Sequence, residues 1–330
     1  MLTIAEIGQA HNGSYSKLLE YIDAVAKTGV KAIKFQTHIA AAESSIHEPF
    51  RIKFSDDATR FDYWKRMEFT QQQWIEIGER CKKLGLLFIS SPFSNKAVDV
   101  LEKAGVAQYK IGSGEVTNFL LLKKVIATGK PIIISSGMSS LEELDATVSF
   151  LKKNQANFSI LQCTTSYPTQ PKDYGLNVIS VLKDRYNVPI GFSDHSADIA
   201  TGIAAVALGA EILEFHVVFN KDDFGPDVTS SLTMEETAAL IEAVARISEA
   251  IQHPVDKSDN SRFTDLKNIF EKSLAVNKDL PAGHILSFDD LEGKKPKGYG
   301  LDASTFELVI GKKLTGNLRQ WDFLNEQDIT

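Results

Sequence analysis

Residues 2–36, LTIAEIGQAHNGSYSKLLEYIDAVAKTGVKAIKFQ, decide the fold. The apolar run at 2–6 reads as a buried strand, and the run at 31–36 as a second one. Between them Leu18, Ile22 and Val25 recur at i, i+4 and i+7, the spacing that places side chains on one face of a helix. Two strands joined this way lie parallel, because parallel neighbours need a crossover connection. The turn after the first strand separates two versions of such a unit. Gly8 and Gly13 enclose Gln9, Ala10, His11 and Asn12. The glycine-rich phosphate loop usual in an open, doubly wound sheet is therefore missing.

The alternation continues through apolar runs at 86–90, 107–111, 131–135, 158–162, 189–192 and 211–216, which brings the strand candidates to eight. Thr70 with Gln73, Ser140 with Glu143 and Thr233 with Glu236 have capping-box spacing. Leu240, Ile241, Val244, Ile247 and Ile251 give the last long helix an apolar stripe. Eight repeats predict an α/β fold over residues 1–251, a closed (β/α)8 TIM barrel, with the open sheet as the alternative. The polar, proline-containing stretch 252–266 reads as a linker. Residues 267–330 form a small C-terminal domain with an internal echo. Leu280, Leu286, Asp290 and Leu291 recur as Leu318, Leu324, Asp328 and Ile329. A repeated half predicts a pseudo-symmetric module, whose own core is marginal and calls for packing against another surface.

The bulk numbers exclude several classes. The chain has 330 residues, 43% hydrophobic, with a net charge of -7, which argues against a nucleic-acid surface because that would need a basic face. No apolar stretch reaches the about 18 residues of a membrane span, and the N-terminus shows no secretory signal. Cys81 and Cys163 are far apart and lack metal-type spacing, so the expectation is a reducing cytoplasm and no disulfide framework.

In a barrel of this kind catalytic groups sit at the C-terminal ends of the strands. Those ends are polar here: Glu6; Lys34 and Gln36; Ser90 and Ser91; Lys110, Ser113 and Glu115; Ser135; Cys163, Thr165 and Tyr167; Ser193, Asp194 and His195; Glu214 and His216. Lys34 and Lys110 lie within apolar runs, where a lysine is rare unless paired or functional. Either they snorkel out of the strand ends, or two ammonium groups hold an anion among Ser91, Ser113, Ser135 and Ser193, a combination suited to phosphate plus carboxylate. His195 and His216 end consecutive strands, so both imidazoles reach one mouth, where they can hold a divalent cation with open positions. Glu6, Glu115 and Asp227 are candidate bases and hydroxyl-binding carboxylates; Asp227, after Gly225 and Pro226, also suits a turn.

These segments resemble the sialic acid synthase family, which includes N-acetylneuraminate, legionaminate and pseudaminate synthases. The matching stretches are AEIGQAHNG (5–13), IKFQTH (33–38), ISSPFS (89–94), YKIGSGE (109–115), ISSGM (134–138), CTTSYP (163–168), GFSDH (191–195), EFH (214–216) and GPD (225–227). The tail resembles that family's antifreeze-like (SAF, β-clip type) domain in SLAV (273–276) and KKPKG (294–298). The resemblance implies phosphoenolpyruvate held by Lys34, Ser91, Lys110, Ser113, Ser135, Thr165 and Ser193. It implies manganese or magnesium on His195 and His216, and a six-carbon amino sugar meeting Glu6, Gln36, Tyr167 and Asp227. Glu115, Glu6 and Lys110 become the expected catalytic residues, Glu115 positioning or deprotonating water. It further implies a homodimer in which the tail of one copy caps the barrel of the other.

One departure bears on the acceptor. Where the family carries an arginine before the proline of its tail segment, this chain has Lys295, which offers a point charge and no planar fork. The expected acceptor is an N-acetylmannosamine-like sugar, either N-acetylmannosamine itself or, as the lysine suggests, a diacetamido-deoxy or 6-phospho derivative. Two rival readings are a related 3-deoxy-ulosonate synthase acting on another aldose, and a carbohydrate-binding scaffold without catalysis. The scaffold has no need of two lysines and two histidines at strand ends.

Overall fold

The computed structural model describes residues 1–50, 53, 55–223 and 225–330. The chain divides into two compact units, Met1–His253 and Pro254–Thr330. The first holds strands β1 (Leu2–Glu6), β2 (Ala32–Thr37), β3 (Leu87–Pro92), β4 (Gln108–Ile111), β5 (Ile132–Ser135), β6 (Phe158–Cys163), β7 (Ile190–Asp194), β8 (Ile212–Val218) and β9 (Ser231–Thr233). Its helices are α1 (Tyr15–Val25), α2 (Ala40–Glu43), α3 (Arg60–Met67), α4 (Gln71–Lys83), α5 (Asn95–Ala104), α6 (Phe119–Ile126), α7 (Leu141–Lys153), α8 (Val178–Tyr186), α9 (Ile199–Ala207) and α10 (Met234–Gln252).

Strands β1 to β8 are parallel neighbours in chain order, and β1 pairs with β8 from Leu2 opposite Ile212 to Glu6 opposite His216. That last pairing closes the sheet into the (β/α)8 barrel and removes the open-sheet alternative. The eight expected strands appear with ends shifted by at most two residues. The short β9 was not expected; it pairs with β8 outside the closed ring and has only three residues, too few for a periodic signal.

Strands of a closed parallel barrel are covered on both faces, so they are apolar almost throughout. All seven residues of β8 are buried, Glu214 and His216 included. The three expected capping boxes are present, and a fourth joins Thr59 to Asp62 at the start of α3. Leu18, Ile22 and Val25 are buried on α1 together with Tyr21. The stripe on α10 buries Leu240 and Val244, but Ile251 in its last turn is 53% exposed. No helix among the described residues is long and apolar enough to cross a membrane.

Two apolar layers result. The larger lies between strands and helices and includes Phe35, Trp74, Tyr109 and Leu213. The smaller fills the inside of the barrel with Ile4, Ala32, Ile89, Ile133, Leu161 and Ile212. This inner plug comes from six different strands and forms the floor on which the mouth of the barrel is built.

The stretch 252–266, expected to be a linker, begins with the last residue of α10 and contains, within the second unit, a 3-10 turn at Ser261–Phe263 and the start of helix α11 (Thr264–Phe270). Strand β10 (Ser273–Val276) pairs antiparallel with β11 (Leu291–Lys294) over a core of Leu274, Val276, Leu280, Leu286, Val309, Leu314 and Leu324. The internal echo has a physical basis. Leu280 and Leu318 exchange backbone hydrogen bonds of 2.8 and 2.9 Å. Each copy ends in a 3-10 turn opened by a capping box, Ser287 with Asp290 and Asn325 with Asp328. Only the first copy adds an ion cluster: Asp290 meets Lys278 at 2.8 Å and His284 at 2.9 Å. Burial alone would raise the Asp290 carboxyl, but these partners and Ser287 hold it well below the ordinary carboxylate range.

Two stability predictions follow from this packing. A Cβ on Gly78, inside α4, would lie 2.2 Å from the carbonyl oxygen of Ala104. Helix propensity alone favours Gly78→Ala by about 1 kcal/mol, whereas overpacking against fixed backbone costs about 1–3 kcal/mol. Denaturant unfolding of this variant should therefore show a net loss of stability; a gain would mean that α4 and α5 separate freely. For Asp290 the folded-state value lies below the unfolded one, so its stabilisation is present above the unfolded pKa of about 3.9 and is lost as pH falls through the folded value. The gap in thermal midpoint between wild type and Asp290→Asn should be full at pH 7 and close progressively below pH 4 (a gap independent of pH would refute the ion cluster).

Candidate active site

Side chains of a strand alternate between faces, so the residues two places beyond the apolar floor point into the barrel again, one level higher. From Ile4, Ala32, Ile89, Ile133, Leu161 and Ile212 this step leads to Glu6, Lys34, Ser91, Ser135, Cys163 and Glu214. A further step reaches Gln36 on β2 and His216 on β8. The change from apolar to polar at one height makes a floor with a charged layer above it.

That layer is one connected cluster. Lys34 forms an ion pair with Glu6 and lies 3.5 Å from Oε1 of Glu214. Lys110 is 3.1 Å from the same oxygen and donates to Ser135 Oγ at 2.7 Å, while Ser193 Oγ donates to Glu214 Oε1 at 3.1 Å. Gln36 donates to Glu6 Oε1 at 3.1 Å. All four charged groups are buried.

Burial opposes every charge here, and the partners decide the outcome. For Lys34 it is outweighed by Glu214 and Glu6, which hold the ammonium above the usual lysine value. For Lys110 it prevails, with Lys34 adding repulsion, and the group falls below the usual value. Glu214 is kept well below the carboxylate range because Lys110 and Lys34 overcome its burial. Each ammonium has three donors and spends two on these described partners, so one hydrogen on each remains for an anion.

The cavity above this layer measures about 190 Å³ and is lined by Lys34, Gln36, Ser91, Lys110, Ser113, Ser135, Thr165, Tyr167, Ser193, His195, Glu214 and His216, with Phe93, Met138 and Cys163. At its edge a Cβ on Gly137 would lie 2.4 Å from Thr165 Oγ1 and 2.6 Å from Ser113 Oγ. Only glycine lets these two hydroxyls converge there. Cys163 Sγ lies 3.6 Å from Ser113 Oγ, and burial pushes its thiol up, so it acts as a packed neutral group.

His195 and His216 have ring centroids 5.4 Å apart, with the Tyr167 ring 4.3 Å from His195. His195 Nδ1 bonds the carbonyl of Thr164 at 3.0 Å, which fixes the ring and leaves Nε2 for a ligand. Burial first, then His216, pulls His195 down to about 3, so its imidazole is neutral as a metal ligand requires. His216 Nδ1 is buried without a hydrogen-bond partner and lies 4.0 Å from Asp227 Oδ2. Two imidazoles, one with an orphaned nitrogen, fit a divalent cation. Among the described residues no three His, Cys, Asp or Glu side chains gather as a ready ligand set, so such an ion would complete its shell with substrate and water.

Most expected site residues therefore meet in one cavity. Four do not line it. Glu6 lies beneath it, paired with Lys34. Asp227 stands beside it: its backbone opens the turn Val228–Ser230, as a turn residue would, yet its carboxylate is not used by that turn and faces His216. Glu115 sits outside the lining, half-buried, its carboxylate accepting from Asn118 at 2.7 Å and its pKa raised by burial. Lys295 belongs to the second unit, where its ammonium lies 4.9 Å from the Phe270 ring centroid. Glu214 was legible as a strand-end residue but carried no expected role. Flanked by Leu213 and Phe215, it carries a visible signal, a carboxylate in an apolar strand, but its partners are distant in sequence.

Comparison with known proteins places this geometry in context. A family model described as the NeuB family matches residues 21–256. An N,N'-diacetyllegionaminic acid synthase of Campylobacter jejuni is 33% identical, with 98% of this chain and 99% of that protein aligned. The N-acetylneuraminate-9-phosphate synthase of Homo sapiens is also 33% identical, over 98% of this chain and 91% of its own. The crystal structure of an N-acetylneuraminic acid synthetase from Leptospira borgpetersenii, in complex with citrate, superposes with a TM-score of 0.72 at 32% identity. It covers 81% of this chain and 90% of that one.

The shared carboxylate gives the prediction. Glu214→Gln leaves two buried ammonium groups with one counter-charge between them, and breaking such a pair costs about 3–5 kcal/mol. Denaturant unfolding should show a loss of that size, and inorganic phosphate should stabilise the variant more than the wild type. Equal phosphate effects on both proteins would mean that Lys34 and Lys110 do not form the anion site.

Proposed function

The chain belongs to the NeuB family, and on that premise we propose that it condenses phosphoenolpyruvate with a 2-acylamino sugar to give a sialic-acid-type nine-carbon product and phosphate. The observation that carries this reading is the inward-facing set of Lys34, Lys110, Ser91, Ser135 and Ser193 around one cavity, with His195 and His216 at its rim. The unspent hydrogens of Lys34 and Lys110 hold the carboxylate and phosphate of phosphoenolpyruvate, and the serine hydroxyls, Ser113 and Thr165 complete its shell. Glu6, Gln36, Tyr167 and Asp227 take the hydroxyls of the acceptor.

Carbon 3 of phosphoenolpyruvate forms a bond to the aldehyde carbon of the open-chain sugar, whose oxygen becomes a hydroxyl. Positive charge develops at carbon 2, and a water adds there while losing a proton. Glu115, next to the lining residues Ser113 and Gly114 and with its pKa raised by burial, is the carboxylate to orient that water and accept the proton; Glu214, kept ionised by both lysines, holds them in place. The carbon–oxygen bond to phosphate then breaks: phosphate leaves with the bridging oxygen and takes up the proton of the new hydroxyl, and carbon 2 becomes the ketone carbon of the product. Lys34 and Lys110 stabilise the negative charge at each stage. His195 and His216 would hold a manganese or magnesium ion, which when bound supplies Lewis-acid polarisation of the sugar carbonyl. Lys295 in place of an arginine supports an acceptor that differs from plain N-acetylmannosamine. The second unit, on this reading, is an antifreeze-like module.

The test is phosphate release from phosphoenolpyruvate with manganese and a panel of manno-, altro- and 6-phospho-acceptors. Release with one acceptor, carrying the bridging oxygen of labelled phosphoenolpyruvate, is the expected result; no release with any acceptor would remove the synthase reading. His216→Ala should lower turnover by about 10³-fold, the worth of several kcal/mol of carbonyl polarisation. Near-normal turnover of that variant under chelation would remove the metal.

A further inference from the structure

Gln36 lines the cavity, and its amide belongs to a hydrogen-bonded chain that leads away from it. Glu43 Oε1 lies 2.7 Å from His38 Nδ1, His38 Nε2 lies 3.2 Å from Gln36 Oε1, and Gln36 Nε2 donates to Glu6 Oε1 at 3.1 Å. Both ends of this chain are carboxylates, which accept only. Its three links need three hydrogens. A neutral imidazole supplies one and accepts one, so whichever way the Gln36 amide faces, one link joins two acceptors. A proton on each ring nitrogen closes all three links. Glu6 is ion-paired with Lys34 and Glu43 already accepts from the Ile39 N–H; since a carboxylic acid is a stronger acid than an imidazolium, the extra proton belongs on His38.

The surroundings suit a cation. The His38 ring is sandwiched between Trp64, 3.9 Å away at 17°, and Phe93, 4.6 Å away at 9°. Aromatic faces attract positive charge. Glu43 also accepts from the backbone of Ile39 at 3.2 Å, which fixes its carboxylate. The other charges facing this group are few. Arg60 lies beyond Trp64, 4.1 Å from that ring, and is 3.5 Å from Glu48, which accepts from the Trp64 indole. His11 is pulled down to about 3 by burial and then by His38, so it adds no competing charge. Glu115 is close enough for the Glu43 charge to contribute to its raised pKa.

We propose that His38 is a positioning residue, held as an imidazolium between Glu43 and Gln36, that fixes the Gln36 amide for the acceptor sugar. The ring directs the carbonyl of Gln36 outward and its NH₂ toward Glu6. Without the second proton the ring either loses its link to Glu43, which anchors it, or stops donating to Gln36, whose amide then rotates and sets its carbonyl against the Glu6 carboxylate. This inference rests on the acceptor role given to Gln36 above, whereas the charge on His38 stands on its own geometry.

Two measurements test it. In the full-length protein labelled with ¹⁵N-histidine, NMR at pH 7 should show two protonated ring nitrogens for His38, one of seven histidines, identified by their disappearance in His38→Phe. One unprotonated nitrogen overturns the proposal. His38→Phe keeps a ring between Trp64 and Phe93 but removes both donors. It should raise the KM for the acceptor about tenfold, the worth of one hydrogen bond to a charged group, and leave the KM for phosphoenolpyruvate within about twofold. The effect should vanish in a Gln36→Ala background. An equal rise for both substrates, or an effect that adds to that of Gln36→Ala, overturns it too. If the wild type releases no phosphate with any acceptor, the synthase reading fails, while the NMR result still decides the charge on His38.

Discussion

The contact on which the site depends is the one between Glu214 and two lysines. A carboxylate inside a closed barrel is unfavourable by itself, and so is each ammonium. Together, with Glu6 as the fourth member, they form a neutral cluster that tolerates burial. The same neutrality makes the site selective. An arriving anion finds one unspent hydrogen on each of Lys34 and Lys110, and it has to share those lysines with Glu214. A neutral ligand meets no unpaired charge there.

Such a cluster needs a dry, rigid base, and the strand period provides it. Six apolar side chains from six strands fill the barrel below, and the next inward residue on each strand carries the chemistry. Since the closed sheet has no free edge, the heights of these residues are locked together by the β1–β8 pairing. Shifting one strand by a single residue would turn its polar group outward and bring an apolar one into the mouth. The helices complete the arrangement from outside. Their capped starts and buried stripes hold the strands without contributing to the cavity.

Around this centre the neighbouring groups are arranged by hydrogen bonding rather than by charge alone. Thr164 orients His195, Gly137 leaves room for Ser113 and Thr165 to converge, and the Glu43–His38–Gln36 chain sets one amide. The second unit follows a different logic. It is small, and two copies of one capped 3-10 turn join through Leu280 and Leu318 in place of a large core.

The sequence by itself determined the barrel, because strand and helix periods are local and eight repeats leave few other solutions. It also marked the polar strand ends, so Lys34, Lys110, the serines and both histidines were legible as one mouth. The division into two units and the repeated turn could be read from composition and self-similarity. Only the tertiary structure decided which of these groups touch. Glu214 is bound to residues 180 and 104 positions away, and no local pattern encodes such a pairing; closure of the ring does. The same holds for Glu115, which stands at a strand end but turns to Asn118, and for His38, whose partners come from β2, α2, α3 and the loop after β3. Periodicity sets which face a side chain occupies, whereas register and closure set its neighbours, and the neighbours determine its charge.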